Sequence, residues 1–373
     1  MGERIKVLIA PAEFSFRAGN YHVTYNLAKR IDAKFYVLAS RIDELARGEL
    51  NKKHELHELG TSLLKYPIDV LTYGRKFVSK VDLIHHMSPF AIGKDFNLLA
   101  LRTDKPFVIG PMEIPHKFFD DEFGMFKIPM FLQKLKDSKL RTILSMKTIE
   151  RCDAAIAVNR QTRKYLLDFV SKQNVKVIPL GVDTKTFRFS PVPNNHDILA
   201  VGMHIKRKGF EYLIRAMTEI VKEYPDTKLH ITSVGPQTSN LKMLVKKLGL
   251  NKHVIFHGRV SDEELLKLYR QCRVFCHPSL SEGFCHTILE AMATGRPVVS
   301  TKTNGSEMIE DGMTGFLVPP GDNSVLADAI LKVFSDYELS QKIGKRARKV
   351  VEKRYDWDVV AKKYYAIYRE LMQ

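Results

Sequence analysis

Glu282 and Glu290, two glutamates with seven residues between them, stand where a loop runs into a helix: Pro278-Ser279-Leu280-Ser281-Glu282-Gly283-Phe284-Cys285-His286-Thr287-Ile288-Leu289-Glu290. Glu282 falls in the loop beside Gly283, and the helix is expected to begin near Cys285, which puts Glu290 further along it. So spaced, the two are not a facing general acid–base pair. An ionised carboxylate is purely an acceptor, so each suits the holding of hydroxyl groups, as on a sugar or a ribose. The amides around Cys285–Thr287 open the helix and favour an anion beyond its N-terminus. A second candidate is Val201-Gly202-Met203-His204-Ile205-Lys206-Arg207-Lys208-Gly209. Gly202 permits a sharp turn, and three successive cations before a helix suit a diphosphate. A solvated basic turn is the other reading. A third, Ala18-Gly19-Asn20, is a small-residue turn before a helix. It holds one glycine and is no G-x-G-x-x-G fingerprint, so a nicotinamide cofactor has little support.

These loops need strands to position them. Short apolar strands are expected at Ile5–Ala10, Phe35–Ala39, Val81–His85, Phe107–Ile109, Ala154–Val158 and Val175–Ile178. Pro191-Val192-Pro193-Asn194-Asn195 then reads as a connector. A second series follows at Ile198–Val201, Lys228–Thr232, Val254–Phe256, Val274–Cys276, Pro297–Ser300 and Phe316–Val318. Strands alternating with helices imply parallel sheets covered on both faces. The expected fold is α/β, with two doubly wound domains at 1–190 and 191–355. A last helix from about Asp356, carrying Trp357, Tyr364, Tyr365 and Tyr368, is expected to pack back on the first domain. Ligands of such sheets sit beyond the carboxyl ends of the strands, here in a cleft between domains. All three candidate loops follow strands. Ser261-Asp262-Glu263-Glu264 is a capping box that starts a helix at Asp262.

Composition narrows the class. The 373-residue chain is 45% hydrophobic and 27% charged, a globular balance. No apolar run is long enough to span a bilayer, and Ile5–Ala10 is too short for a signal-peptide core. Cys152, Cys272, Cys276 and Cys285 form no C-x-x-C pair and no disulfide framework, so a reduced, cytoplasmic protein is expected. The His85-His86 pair reads as structural, and no metal is expected. Net charge is +17, with 32 basic against 21 acidic residues before position 191. That excess suits a polyanionic partner or a solubilising surface. Between Lys127 and Arg151, seven basic residues face Asp137 and Glu150 and run beside Phe131, Leu132, Leu135, Leu140, Ile143, Leu144 and Met146. Two readings stand: an amphipathic helix on an anionic membrane, and a core helix with a basic outer face. No nucleic-acid motif is present.

The spacing of Glu282 and Glu290 resembles the E-x7-E signature of retaining GT-B glycosyltransferases of family 4, relatives of glycogen synthase and lipid mannosyltransferases. Further matching segments are Val177–Asp183, Gly258–Ser261, Gly305–Glu307, Asp311–Val318 and Gly321-Asp322. The resemblance covers the second half of the chain and, more loosely, the first. It implies two Rossmann-like domains facing across a cleft, and a UDP- or GDP-linked sugar as substrate with no cofactor or catalytic metal. By similarity Glu282 holds the donor sugar, Glu290 the ribose and Lys208 the phosphates. The backbone around Val260 meets the base, the amides of Phe284, Cys285 and His286 with Thr287 beside them meet the diphosphate, Gly283 belongs to the same donor loop, and Gly19 and Asn20 of the first domain face the donor phosphate.

Three departures from the family pattern stand out. Met203 replaces the usual Arg after Gly202, leaving His204, Lys206 or Arg207 to supply charge. Cys285 stands where Gly or Pro is usual. The first-domain loop reads Gly110-Pro111-Met112-Glu113-Ile114-Pro115-His116, with Glu113 and His116 as candidates on the acceptor side. The implied reaction is front-face, retaining hexosyl transfer to a glycan or lipid-linked hydroxyl, in the cytoplasm or peripherally on an anionic membrane. The competing function is a non-catalytic nucleotide- or polyanion-binding protein on the same scaffold.

Overall fold

The computed structural model describes residues 4–11, 13–14, 21–61, 65–87, 96–114 and 139–373. These fall into two compact units. One takes in the described residues up to Gly181 together with Trp357–Gln373, and the other is Val182–Asp356. The chain passes between units at Gly181–Val182, so Pro191–Asn195 lies inside the second.

The first unit is built on a seven-stranded sheet in the order Glu55–Glu58, Ala33–Ala39, Ile5–Ala10, Leu83–His86, Phe107–Met112, Ala154–Ala157, Val175–Val177. The edge strand Glu55–Glu58 makes no apolar run, because Leu56 is its one apolar residue and none of its four residues is fully buried. Inner strands such as Ile5–Ala10 and Ala154–Ala157 are apolar nearly throughout, as expected when helices cover both faces. The helix Trp357–Glu370 belongs to this unit, with Trp357, Tyr364 and Tyr368 buried. Burial pushes the His85 imidazole down to about 3, so the ring is neutral. Its Nε2–H donates to Gly110 O at 2.9 Å, and Nδ1 accepts from the Tyr368 hydroxyl at 2.6 Å. His85 is thus a core residue that ties the terminal helix to the sheet.

The second unit holds a six-stranded sheet ordered Val254–Gly258, Leu229–Thr232, Ile198–Val201, Val274–His277, Val298–Thr301, Gly315–Val318. All its strand pairs are parallel. Side chains alternate between faces. Ile198, Ala200, Val274 and Cys276 enter the core under the helix Phe210–Glu223. Leu199, Phe275 and Val298 enter the core on the other face, with Ile288, Leu289 and Met292 of the helix His286–Ala293. His277, two residues beyond Phe275, continues that second face. The helix Asp262–Gln271 begins with the full reciprocal capping box of Ser261 and Glu264. Among the described residues no helix is long and apolar enough to cross a membrane.

Candidate functional site

The strand order of the second sheet reverses between Ile198–Val201 and its neighbour Val274–His277. At such a switch point the two following loops leave side by side from the carboxyl edge. Here they carry Gly202–Gly209 and Pro278–Cys285 and are bonded to each other, with the Leu280 amide donating to Arg207 O at 2.7 Å. The close approach needs Gly209, whose φ is +63° and where a Cβ would lie 2.1 Å from Pro278 O.

Between the loops lies the Glu282 carboxylate, 7% exposed. Oε2 accepts from Arg207 at 2.5 Å. Oε1 takes the Lys208 ammonium, the Ser279 hydroxyl at 2.9 Å, and His277 Nε2 at 3.3 Å. The Glu282 carbonyl accepts from the Gly305 amide at 3.0 Å, and a Cβ on Gly305 would come within 2.5 Å of Glu282 Cβ. Burial opposes ionisation of Glu282. Lys208, then His277 and Arg207, outweigh it and hold the carboxyl well below its usual range. An ion so enclosed is a fixed acceptor whose orientation is set by its donors.

The three cations of the first loop are not equivalent. Lys206–Lys208 form one 3₁₀ turn, which sends successive side chains in different directions. Arg207 and Lys208 converge on Glu282, the Lys208 stem running past Gly202. Lys206 is exposed and lines a separate cavity of about 540 Å³ with Glu211, Arg215, Gln237, Asn240 and Leu280. His204 does not replace the missing loop arginine. It is fully buried, Nδ1 meets the Thr238 hydroxyl at 2.8 Å, and Nε2 donates to Thr232 O at 3.2 Å. Burial lowers its pKa, so it brings no charge. Met203 is 47% exposed at the end of the strand.

Cys285 is the N-cap of the helix His286–Ala293, whose first amides lack partners within the helix. Its sulfur lies 3.4 Å from His277 Nε2 and 3.2 Å from the Thr287 hydroxyl. His286 is neutral, burial pushing its imidazole to about 4. Phe284, half-buried, packs edge-on against it, and Gly283 is buried. One turn on, Glu290 accepts from the buried Tyr269 hydroxyl at 2.7 Å. Burial raises the Glu290 carboxyl to about 7, against the pull of that hydrogen bond. Val260 follows the strand Val254–Gly258 and is partly buried on the Phe275 face.

Glu282, Lys208, Arg207, Gly202 and Cys285 are thus brought together. His277, Ser279 and Tyr269 join the arrangement without having been singled out by sequence. His277 was within reach, being the last residue of a strand that feeds a candidate loop. Gly19, Asn20, His116 and residues 127–138 lie outside the described residues. Glu113 is described, half-buried just past the strand Phe107–Met112 in the first unit. The helix Lys139–Glu150 buries Ser145, Thr148 and Ile149, while Leu140 and Ile143 are 66% and 50% exposed.

Comparison with known proteins decides the family. Residues 183–350 match the family model of the glycosyl transferases group 1, and residues 22–186 match that of Glycosyltransferase Family 4. The MMP alpha-(1->4)-mannosyltransferase of Mycolicibacterium hassiacum is 30% identical over 341 residues, 90% of this chain and 74% of that protein.

The chain belongs to the group 1, family 4 glycosyltransferases.

Other similarities are more local. An uncharacterized glycosyltransferase of Methanocaldococcus jannaschii is 37% identical over 47% of this chain and 45% of its own length. A phosphatidyl-myo-inositol mannosyltransferase of Mycobacterium leprae is 29% identical, with 59% of each chain matched. The chain therefore spans roughly half the length of these two relatives. The fold of this glycosyltransferase matches the solved Anabaena protein HepE in complex with UDP, with a TM-score of 0.77 at 19% identity over 98% of this chain and all of that one. Both units thus have the GT-B fold.

Proposed function

We propose that this glycosyltransferase moves a hexosyl group from a UDP- or GDP-linked sugar to a hydroxyl of a glycan or lipid-linked acceptor, with retention of configuration. The observation that carries the reading is the buried Glu282 carboxylate held between Lys208 and Arg207, at the switch point and beside a helix N-terminus that has no side-chain cap. Glu282 accepts from the donor sugar hydroxyls, and Glu290 accepts from the ribose. Lys208, Arg207 and the amides of Phe284 to Thr287 meet the diphosphate, and the segment at Val260 meets the base. Solved relatives described with UDP or UDP-glucose, and relatives named for GDP-mannose and inositol-lipid substrates, agree with this assignment. As the C1–O bond to the diphosphate breaks, positive charge grows on the sugar and negative charge on the leaving group. Cations and helix amides already aimed at that charge lower the barrier. The acceptor oxygen attacks C1 from the leaving-group face and its proton passes to the departing phosphate, which leaves no step for a protein nucleophile. The second unit supplies these donor determinants, and Glu113 of the first unit is assigned to the acceptor side, as is His116.

Nucleotide titration tests the donor site. One of UDP, GDP, ADP and CMP should raise the melting temperature clearly above the others, since a ligand at 100 times its Kd stabilises by ~2.7 kcal/mol. Between pH 6 and 8, Glu290 passes from mostly protonated to mostly ionised. The ionised form is the better acceptor for ribose hydroxyls, so wild-type affinity should rise over that range more steeply than that of Glu290→Gln. No shift with any nucleotide overturns the reading. A shift without turnover of UDP-glucose or GDP-mannose, with any acceptor or water, favours the non-catalytic alternative.

The exposed Leu140 and Ile143 beside Lys139 and Lys147 favour peripheral contact with an anionic membrane in the cytoplasm. Vesicles containing phosphatidylglycerol should carry the protein upward in a flotation gradient at low salt, and neutral vesicles should not. No flotation in either case removes the membrane from the proposal.

A further inference from the structure

The partners of Glu282 fall into two groups. Lys208 and Arg207 are long side chains on a turn, and the donor-site reading also assigns them to the diphosphate. Ser279 and His277 lie at the sheet edge and carry no such second duty, and of these only His277 brings charge. Its side chain is 3% exposed and is fixed by its place at the end of the strand Val274–His277. The ring lies near-parallel to Phe275, 16° and 6.4 Å away, on the face covered by the helix His286–Ala293. That face brings it to Cys285, whose sulfur is 3.4 Å from Nε2.

A charged imidazole buried here needs anions beside it. Glu282 is one. The Cys285 sulfur is the other partner, drawn toward its thiolate form by the imidazolium and by the start of the helix. The titratable groups that face His277 are Cys285, Glu282 and Lys208, with Arg207 on the far oxygen of Glu282. Burial opposes the charge on His277, and Cys285 and then Glu282 outweigh it, lifting the imidazole to about 9. Burial likewise opposes the thiolate, and His277 more than compensates, drawing Cys285 below its usual range. Cys285 stands where the family pattern has Gly or Pro, so this pairing follows from the particular residues of this chain.

We propose that His277, paired with Cys285, is a positioning residue for sugar transfer, pinning Oε1 of Glu282 when Lys208 and Arg207 turn to the diphosphate. The inference rests on the donor-site reading above. It is tested with His277→Gln and Cys285→Ser, by release of UDP or GDP from UDP-glucose or GDP-mannose between pH 6 and 10. ¹⁵N-histidine spectra of wild type and Cys285→Ser are titrated over the same range without nucleotide. His277→Gln should lower kcat by about 10- to 100-fold, as misplaced reacting groups do, with the donor KM within about two-fold of wild type. Cys285→Ser should keep its fold and move both the alkaline fall of kcat and the His277 titration to lower pH by at least one unit. An unchanged kcat in His277→Gln, or a wild-type His277 that titrates near 6.5, overturns the proposal. A wild-type protein that binds no nucleotide and releases none removes the donor-site reading itself, whatever the spectra show of the His277–Cys285 pair.

Discussion

Lys208→Ala is expected to lower kcat for hexosyl transfer by about two orders of magnitude while leaving the protein folded. One pre-aimed donor to a developing anion is commonly worth ~10²–10³ in rate. Lys208 is placed for that role by backbone rather than by its own length. The 3₁₀ turn Lys206–Lys208 ends at Gly209, which alone fits against Pro278 O, so the turn is held against the second loop. The stem then passes Gly202 to reach Glu282. Removing the ammonium does not strand the carboxylate, since Arg207, His277 and the Ser279 hydroxyl still meet it. The melting temperature should therefore change little, whereas UDP or GDP binds more weakly and turnover collapses. Steady-state kinetics at saturating donor separate the two effects. An unaltered kcat in folded protein refutes the assignment of Lys208 to the leaving group.

How far the sequence reaches depends on what positions each residue. The positions of Glu282 and Lys208 in loops at the carboxyl edge of the sheet, and of Glu290 on the helix that follows, were legible because apolar strands recur in a repeating pattern before them. The capping box at Ser261 was legible because both partners lie within one turn. His204 misled for the opposite reason. A histidine after a strand-end glycine resembles a phosphate ligand, yet the ring turns inward to Thr238 and Thr232, and Gly235 packs so closely that a Cβ there would touch the His204 backbone. That packing comes from a separate loop. Lys206 misled because three adjacent lysines and arginines look alike in a sequence, and only the tight turn separates their directions. His277 was missed although strand alternation puts it on the same face as Phe275 and therefore against the helix that Cys285 begins. Tyr269 depends on how the helix Asp262–Gln271 packs, and no local pattern announces it.

Glu282→Gln should have the larger effect on stability and the opposite effect on nucleotide. The substitution keeps the shape of the side chain and deletes the negative charge on which Lys208, Arg207 and His277 converge. Removing one partner of a buried ion pair costs about 3–5 kcal/mol, because the remaining charges stay uncompensated. The melting temperature should fall accordingly. A diphosphate restores what was lost: it brings negative charge to Lys208 and Arg207, which no longer have a carboxylate competing for them. UDP or GDP should therefore bind Glu282→Gln at least as tightly as wild type and recover more of its melting temperature. Sugar transfer should nonetheless drop by ~10²–10³, since the charged acceptor that orients the sugar becomes a neutral amide with one accepting oxygen while the leaving-group contacts remain. Lys208→Ala and Glu282→Gln would then separate cleanly, both slow in turnover but with nucleotide affinity moving in opposite directions. If both instead weaken nucleotide binding to the same degree, Glu282 serves to hold the cations in place for the diphosphate, and the sugar contact belongs to another group.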